Sequence, residues 1–498
     1  FLGGVQISKK RFALQFNSIY RKASDYYAGN QQKIKFSAYE KWNISGNAIF
    51  KLNDQNSIVF DYLQDDGRNI GYPALTMDVA FANAKVGAIS HLLKRSGKKL
   101  YALETKIYYN FIDHAMDDTR RPAELVPMHM DMPGNSQTFG FYSNSDWEFG
   151  EKHFVKIKLN GYQNDLHAEM TMYPQVGEEM FMLTIPDTRR RLLGFDLSDK
   201  WILNEKLNLE FGARADLSES EITTSLGRQT MTSFYNDELV KDNLIWSAFL
   251  QSNVKINKQF SLHGGVARAS RNPTLQELYG FYLFSRMDNY DFLGNPDLKT
   301  ETSWNFNVGF SFASKKVSLE GKMYAYFFSN YITGSKLADY SAMTIGASGV
   351  KQYVNINSAV LTGFELVGKY QIVKSLLFSS TNSFSYGQDG SHAALPFIPP
   401  FRSVNQLAYT FKGVKLNVEY VTAARQKQVD FDKYGERSSY EFHVLNAGIA
   451  KVFKVDRFSY AIQVSANNIF DRVYFEHLDV MKVFRQGRSF EVNFTFGF

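Results

Sequence analysis

Apolar and polar side chains alternate with a period of two through much of this chain. Trp304, Phe306, Val308, Phe310 and Phe312 interleave with Ser303, Asn305, Asn307, Gly309 and Ser311. Leu207, Leu209, Phe211 and Ala213 do the same against Asn208, Glu210, Gly212 and Arg214. So do Leu319, Gly321, Met323, Ala325 and Phe327 against Glu320, Lys322, Tyr324 and Tyr326. A strand turns successive side chains to opposite faces, so each stretch predicts one apolar and one polar face. Strands of soluble sandwiches run about five or six residues. Here the alternation continues for roughly ten residues or more, about what a tilted strand needs to cross a bilayer. In lipid only a closed barrel satisfies every backbone N–H and C=O of a sheet. The pattern therefore predicts an all-β fold, a transmembrane antiparallel β-barrel.

The connections follow the same logic. Ten short polar links, from residues 8–11 to 453–457, alternate with ten longer ones, from 21–33 to 471–487. The longer set includes 63–78, 110–137 and 166–187. Short turns inside and long loops outside are the outer-membrane arrangement. Ten links of each kind separate 21 strands, and single-chain bacterial barrels have an even number. The last strand carries Phe490, Val492, Phe494, Phe496 and the terminal Phe498 after a long loop, so it descends to the periplasm. Counting back places Phe1 outside. The expectation is 22 strands in the intact protein, with about 21 present here and one upstream of Phe1. No signal peptide is visible at the start.

Composition narrows the function. The 498 residues carry a formal net charge of only +6, spread along the chain, which argues against a nucleic-acid partner. There are no cysteines, which excludes disulfide scaffolds, Cys-zinc sites and cysteine nucleophiles. No run of about 18 apolar residues exists to form a helical span. Sequence motifs for a G-x-S-x-G elbow, an H-E-x-x-H site or a P-loop are absent, so an enzyme is not expected. A passive porin would have about 16 to 18 strands, and a lipopolysaccharide-export barrel would be expected to carry cysteines.

Several stretches resemble the TonB-dependent receptor family, the 22-stranded outer-membrane active transporters. The run from Arg268 to Tyr279, with Arg271, Pro273 and Glu277, and then Gly294-Asn295-Pro296-Asp297-Leu298-Lys299 with Glu301, is similar to its barrel signature. Asn467, Asn468, Ile469, Phe470, Asp471, Arg472 and Tyr474 resemble its penultimate-strand motif. Gln486-Gly487-Arg488-Ser489-Phe490, running into Phe498, resembles its last strand; Tyr353 and Asn355 with Gly363-Phe364-Glu365 form a weaker fourth match. The resemblance implies that residues 1–498 are a receptor-type barrel domain. It also implies a plug domain and a short TonB-contacting segment N-terminal to the barrel, neither of which is recognisable here. The implied activity is import of a scarce nutrient across the outer membrane, with the TonB–ExbB–ExbD complex as partner. Outer-membrane lipid and lipopolysaccharide surround such a barrel, and a surface lipoprotein is a further candidate partner.

Methionine is unevenly placed. Eight of 14 lie between 116 and 182: Met116, Met128, Met130, Met132, Met170, Met172, Met180 and Met182. An even spread would give about two. Four of nine histidines accompany them: His114, His129, His153 and His167. The densest groups, Met128-His129-Met130-Asp131-Met132 and His167 with Met170 and Met172, sit on consecutive long links and should face the extracellular vestibule. Thioether and imidazole without cysteine suit Cu(I), or Cu(II) captured and reduced, better than ferric ion. In the family, the copper-receptor branch uses His and Met from a barrel loop; His129 with Met130 or Met132 looks like that contribution. His129, Met130, Met132 and Met128 are thus the first candidate metal ligands, with His167, Met170 and Met172 as a second group. Copper is the transported ligand in this reading, with no tightly bound cofactor. The bland alternative is that methionines fill gaps between loops or dock a lipoprotein; a siderophore would be held instead by aromatic and basic groups.

Other features read as ordinary structure. His91, His263, His392, His443 and His477 are scattered; Arg189-Arg190-Arg191 reads as a solvated rim at the start of a strand. Asp65-Asp66-Gly67 and Asp288 to Asp291 lack the full ligand spacing of a calcium loop and read as turns.

Overall fold

The structure, a computed structural model, describes residues 1–235 and 239–497. All of its strands belong to one sheet. The first six are β1 (Leu2–Ser8), β2 (Phe12–Ala23), β3 (Tyr39–Lys51), β4 (Asn56–Ile70), β5 (Asp78–Lys94) and β6 (Leu100–Asp117). Next come β7 (His129–Phe149), β8 (His153–Tyr173), β9 (Met180–Ile202), β10 (Leu207–Ile222), β11 (Lys241–Lys255) and β12 (Phe260–Arg271). A short hairpin, β13 (Leu283–Ser285) and β14 (Tyr290–Leu293), interrupts the series within one long link. The wall resumes with β15 (Glu301–Ala313), β16 (Val317–Leu337), β17 (Val350–Val373), β18 (Leu376–Asp389) and β19 (Arg402–Phe411). It ends with β20 (Val414–Ala423), β21 (Phe442–Val455), β22 (Phe458–Asn467) and β23 (Ser489–Gly497).

Leaving the β13–β14 hairpin aside, 21 strands form the wall, each antiparallel to the next, which is the number the alternation predicts. Links of two to five residues lie at one end of the wall and links of six to 29 residues at the other. One of the two-residue links, Lys412-Gly413, joins β19 to β20 with φ of 47° and 78°. A two-residue hairpin of this hand needs positive φ at both positions, which glycine supplies at no steric cost. The outward faces are apolar: Trp304 is 52% exposed and Val308 56%, whereas Ser303, next to Trp304, is buried. Buried apolar side chains gather at the long-loop end, where Ile222, Met231, Leu275, Leu278, Tyr279, Phe281 and Leu293 form a cluster under the folded-in loops.

Strand ends differ from expectation on the extracellular side. β7, β8 and β9 have 21, 21 and 23 residues, about twice what a bilayer requires. Links read as 110–137 and 166–187 shrink to 118–128 and 174–179. Arg189-Arg190-Arg191 accordingly lies inside β9 rather than at its start, and each member is engaged. Arg189 Nε bonds Asp165 at 2.5 Å, Arg190 Nε bonds Ser220 Oγ at 2.9 Å, and Arg191 Nη1 bonds Glu219 at 2.6 Å. Asp65-Asp66-Gly67 is likewise strand, not turn: it belongs to β4, with Asp65 paired to Lys41 at 2.9 Å and Asp66 to Arg68 at 3.0 Å.

Among the described residues β1 pairs only with β2 and β23 only with β22, so these are the ends of the sheet. Near these ends the link after β2, 24–38, meets the link before β23, 468–488, at the extracellular rim. Gly487 N bonds Tyr27 O at 2.8 Å and the Tyr26 hydroxyl bonds Phe484 O at 2.6 Å. Asp471 sits at this junction, accepting from Arg488 N at 2.7 Å and Asn30 N at 2.9 Å. Those two backbone bonds favour the anion and hold its carboxyl below the usual carboxylate range. Because the folded-state value is depressed, the stabilisation is present above about pH 4 and is lost as pH falls below it. Asp471→Ala is expected to loosen the junction at neutral pH, exposing residues 24–38 to protease, and to abolish any further loosening on acidification. The terminal Phe498 of the last-strand motif lies outside the described residues.

Candidate functional site

β7 and β8 run antiparallel above the bilayer, with Met130 opposite Met172. Met116 on β6 faces Met132 on β7, and Met182 on β9 faces Met170 on β8. Directly opposed residues share a face, and so do residues two apart on a strand. The methionines therefore tile one patch across four adjacent strands. That patch faces the lumen, the face that carries Tyr108, Thr138, Tyr162 and Arg190 lower in the same strands. Met77, Met130, Met170 and Met172 are buried together, with Met116, Met128, Met132, Met182, Met343 and Ile345 packed against them. Nine of the chain's 14 methionines thus meet in one cluster.

The register that gathers the thioethers separates His129 and His167 from them. His129 and Met130 are neighbours on β7 and point to opposite faces, so this pair does not converge on one ion. Met130 is 1% exposed, whereas the His129 side chain is 40% exposed and is taken up by carboxylates. Its Nδ1 contacts Asp118, its Nε2 lies 3.6 Å from Asp131, and its ring stacks on Tyr173 at 5.1 Å. His167 is held in the same way, with Nδ1 2.8 Å from Asp187 and Nε2 3.3 Å from Glu169. His153 lies at the other end of β8, beside a short turn, where it bonds Asp199 at 2.6 Å. Among the described residues no three His, Asp or Glu side chains form a metal-holding group.

The imidazole that does reach the thioethers is His114. With Met77, Met116, Met132, Met287 and Met481 it lines a lumenal cavity of about 680 Å³. His114 lies above the apolar belt, and burial first, then the nearby Arg286 guanidinium, pushes its pKa down. The neutral ring this favours keeps a lone pair free. Met77 and Met343 come from loops far away in the sequence, as do Met287 and Met481. Each is an isolated methionine with no local pattern around it, and only the closing of loops over the lumen brings Met77 and Met343 to the patch and Met287 and Met481 to the cavity beside it.

Loops around the cavity are pinned by the motif residues. Arg271 bonds Glu277 at 2.8 Å and Glu301 at 3.2 Å, and Glu301 also accepts from Ile332 N at 2.9 Å. Thr274 and Glu277 cap a one-turn helix, Leu275–Tyr279, reciprocally. Asn355 grips one residue of the link from both sides of its backbone, accepting from Lys299 N at 2.7 Å and donating to Lys299 O at 3.1 Å. Asp288 and Asp291, read as a turn, do lie in and beside the β13–β14 turn. There Asp288 pairs with Lys351 at 2.5 Å, and Asp291 accepts from Met343 N at 2.8 Å and Thr344 N at 2.9 Å. Asp291 thereby fixes the backbone that carries Met343 into the cluster.

Known proteins share this fold. A relative described as "Probable TonB-dependent siderophore receptor PirA", from Acinetobacter baumannii, is 22% identical over 440 residues, covering 80% of this chain. The chain spans 55%, about half, of that relative's length. Among solved structures, "Copper transporter OprC" superposes with a TM-score of 0.85 at 19% identity, over 98% of this chain and 78% of that one. "The FrpB iron transporter from Neisseria meningitidis (F5-1 variant)" superposes with a TM-score of 0.73 at 14% identity, over 99% and 79%. At such identities the likeness shows the fold alone. Residues 11–469, however, match the family described as "TonB dependent receptor-like, beta-barrel", and the chain belongs to that family of outer-membrane barrels.

Proposed function

We propose that this chain is the barrel of an importer driven through the TonB–ExbB–ExbD complex, and that copper is its cargo. The observation that carries the copper reading is the methionine cluster: nine thioethers from separate segments on the lumenal face, beside a cavity that also presents His114. Thioether sulfur is a soft donor that favours Cu(I). A patch needed only for packing would be filled as well by leucine and isoleucine, yet Ile345 is the one non-methionine in this cluster. Met130, Met132, Met170 and Met172 are the central ligands in this reading, with Met128 and Met116 beside them. His129 and His167 stand at the rim as polar neighbours. The solved structure that superposes with a TM-score of 0.85 is described as a copper transporter, which supports the reading. The plug and the further strand that the family resemblance implies belong to the proposal, supplied by sequence outside residues 1–498. A surface lipoprotein partner is likewise proposed only from the resemblance.

A second reading, a siderophore receptor, is favoured by one feature. Tyr108, Tyr162 and Arg190 line a 370 Å³ lumenal cavity, and aromatic and basic groups suit the organic shell of a ferric chelate. The two readings separate in one experiment. The purified protein in detergent is offered Cu(I) under reducing conditions, and in parallel a ferric catecholate, then desalted and assayed for metal. Copper retained with iron absent is expected; iron retained with copper absent would replace the first reading by the second.

A further inference from the structure

We infer that the outer wall of β1–β6 is a binding site for an anionic glycerophospholipid of the periplasmic leaflet. Two independent features meet there. The first is relief on the lipid-facing surface. Phe16, Gly46, Tyr62, Gly87 and Tyr109 are successive cross-strand neighbours on β2 to β6. Large and glycine positions alternate along this row, so the aromatic side chains stand as ridges over glycine furrows. One turn nearer the periplasm Ala48 continues the first furrow, between Leu14 and Phe60. The result is an apolar groove of about 1040 Å³. It occupies the half of the wall next to the short turns, where the strands carry the start of β2, β4 and β6 and the end of β3 and β5.

The second feature is charge. The three turns below the groove, with the strand ends beside them, hold Lys9, Lys10, Arg11, Lys51, Lys94, Arg95, Lys98 and Lys99, against the single acid Asp54. Each of the seven remaining short turns carries one or two cations. The three are contiguous along the rim: Lys51 N bonds Arg11 O at 2.8 Å and Lys94 N bonds Gln55 O at 2.8 Å. All eight cations are exposed, and none is ion-paired among the described residues. An excess of seven positive charges thus sits at the headgroup level in a chain whose whole net charge is +6. Acyl chains fill a furrow that flat strand faces lack, and a phosphate directly below it meets ammonium and guanidinium donors. Zwitterionic lipid offers the same phosphate, but its own ammonium is repelled by the cationic rim and cancels most of the second gain; lipopolysaccharide resides in the opposite leaflet, away from these turns. The inference requires an outer-membrane barrel and is independent of the cargo.

The test is native mass spectrometry of the purified protein in detergent, titrated with phosphatidylglycerol or phosphatidylethanolamine. One variant neutralises the rim (Lys10→Gln, Arg11→Gln, Lys94→Gln, Arg95→Gln, Lys98→Gln), and a second fills the furrow (Gly87→Leu). A control neutralises other turns (Lys315→Gln, Lys316→Gln, Lys374→Gln, Lys412→Gln). Phosphatidylglycerol should be retained on the order of tenfold more than phosphatidylethanolamine. The rim variant should erase that preference, the furrow variant should lower both lipids, and the control should change neither. Equal retention of the two lipids, or an equal loss in the control, overturns the site. So does a lipid-free dimer that the furrow variant dissociates, which would make the groove a contact between copies. The rim substitutions lie on exposed turns and one exposed strand end, so that variant decides the matter even if Gly87→Leu fails to fold.

Discussion

Replacing Met130, Met132, Met170 and Met172 together by leucine is expected to weaken Cu(I) binding by on the order of 100-fold or more while the barrel still folds. Perturbing groups that merely orient a metal's ligands costs about 10- to 100-fold, and this change removes donor atoms themselves. Leucine nearly conserves volume, and such swaps in packed sites cost under about 1.5 kcal/mol each. The four residues are 1% exposed or less in three cases, and Met132 packs against the others. Hydrocarbon therefore replaces thioether without opening a void. Titration of Cu(I) against a chromophoric competitor reads the affinity, and heat-modified gel mobility reads the fold. Met323→Leu, on the lipid-facing side of β16 at 62% exposure, serves as the comparison and should change neither. Copper affinity that survives the quadruple substitution would reduce the cluster to a packing device.

Lys351→Met is expected to be among the most damaging single substitutions outside the membrane. The side chains of Lys351 and Asp288 are 3% and 4% exposed and pair at 2.5 Å. The ammonium also bonds Tyr434 O at 2.7 Å and lies 4.1 Å from the Tyr290 ring centroid. Removing it strands a buried carboxylate, a loss of about 3–5 kcal/mol in comparable pairs. Removing both charges, with Lys351→Met and Asp288→Leu, leaves nothing uncompensated and should recover most of that. Because β14 pairs with the start of β17, the damage should concentrate in residues 272–300. Hydrogen exchange or limited proteolysis of that segment would show rapid opening in the single variant and near-normal protection in the double. Equal protection in all three proteins would mean that the pair does not hold the loop.

How much of this was legible follows from what surrounds each residue. Trp304, Phe306 and Val308 announce their strand because lipid on one side and water on the other impose opposite demands on alternate positions. Above the bilayer both faces of β7 and β8 meet water or folded loops. The constraint vanishes there while the strand continues, so His129–Met132 and His167–Met172 read as loop. The methionine excess was visible as composition, yet its geometry was not. Adjacent His129 and Met130 look like a pair in sequence and are parted by the strand's own pleat. Met130 and Met172 are far apart in sequence and are joined by register. Arg271, Glu277 and Glu301 were recognisable as a motif, while their shared task of clamping a 29-residue link appears only when the link folds back.

The sequence alone determined the all-β wall, its 21 strands, and which end bears the long loops, because period-two patterning and turn length are local consequences of the bilayer. Tertiary structure decided which methionines meet, which histidine joins them, and that a furrow lies above a cationic rim. Those are relations between strands, and hydrogen-bond register, which no single segment encodes, fixes them.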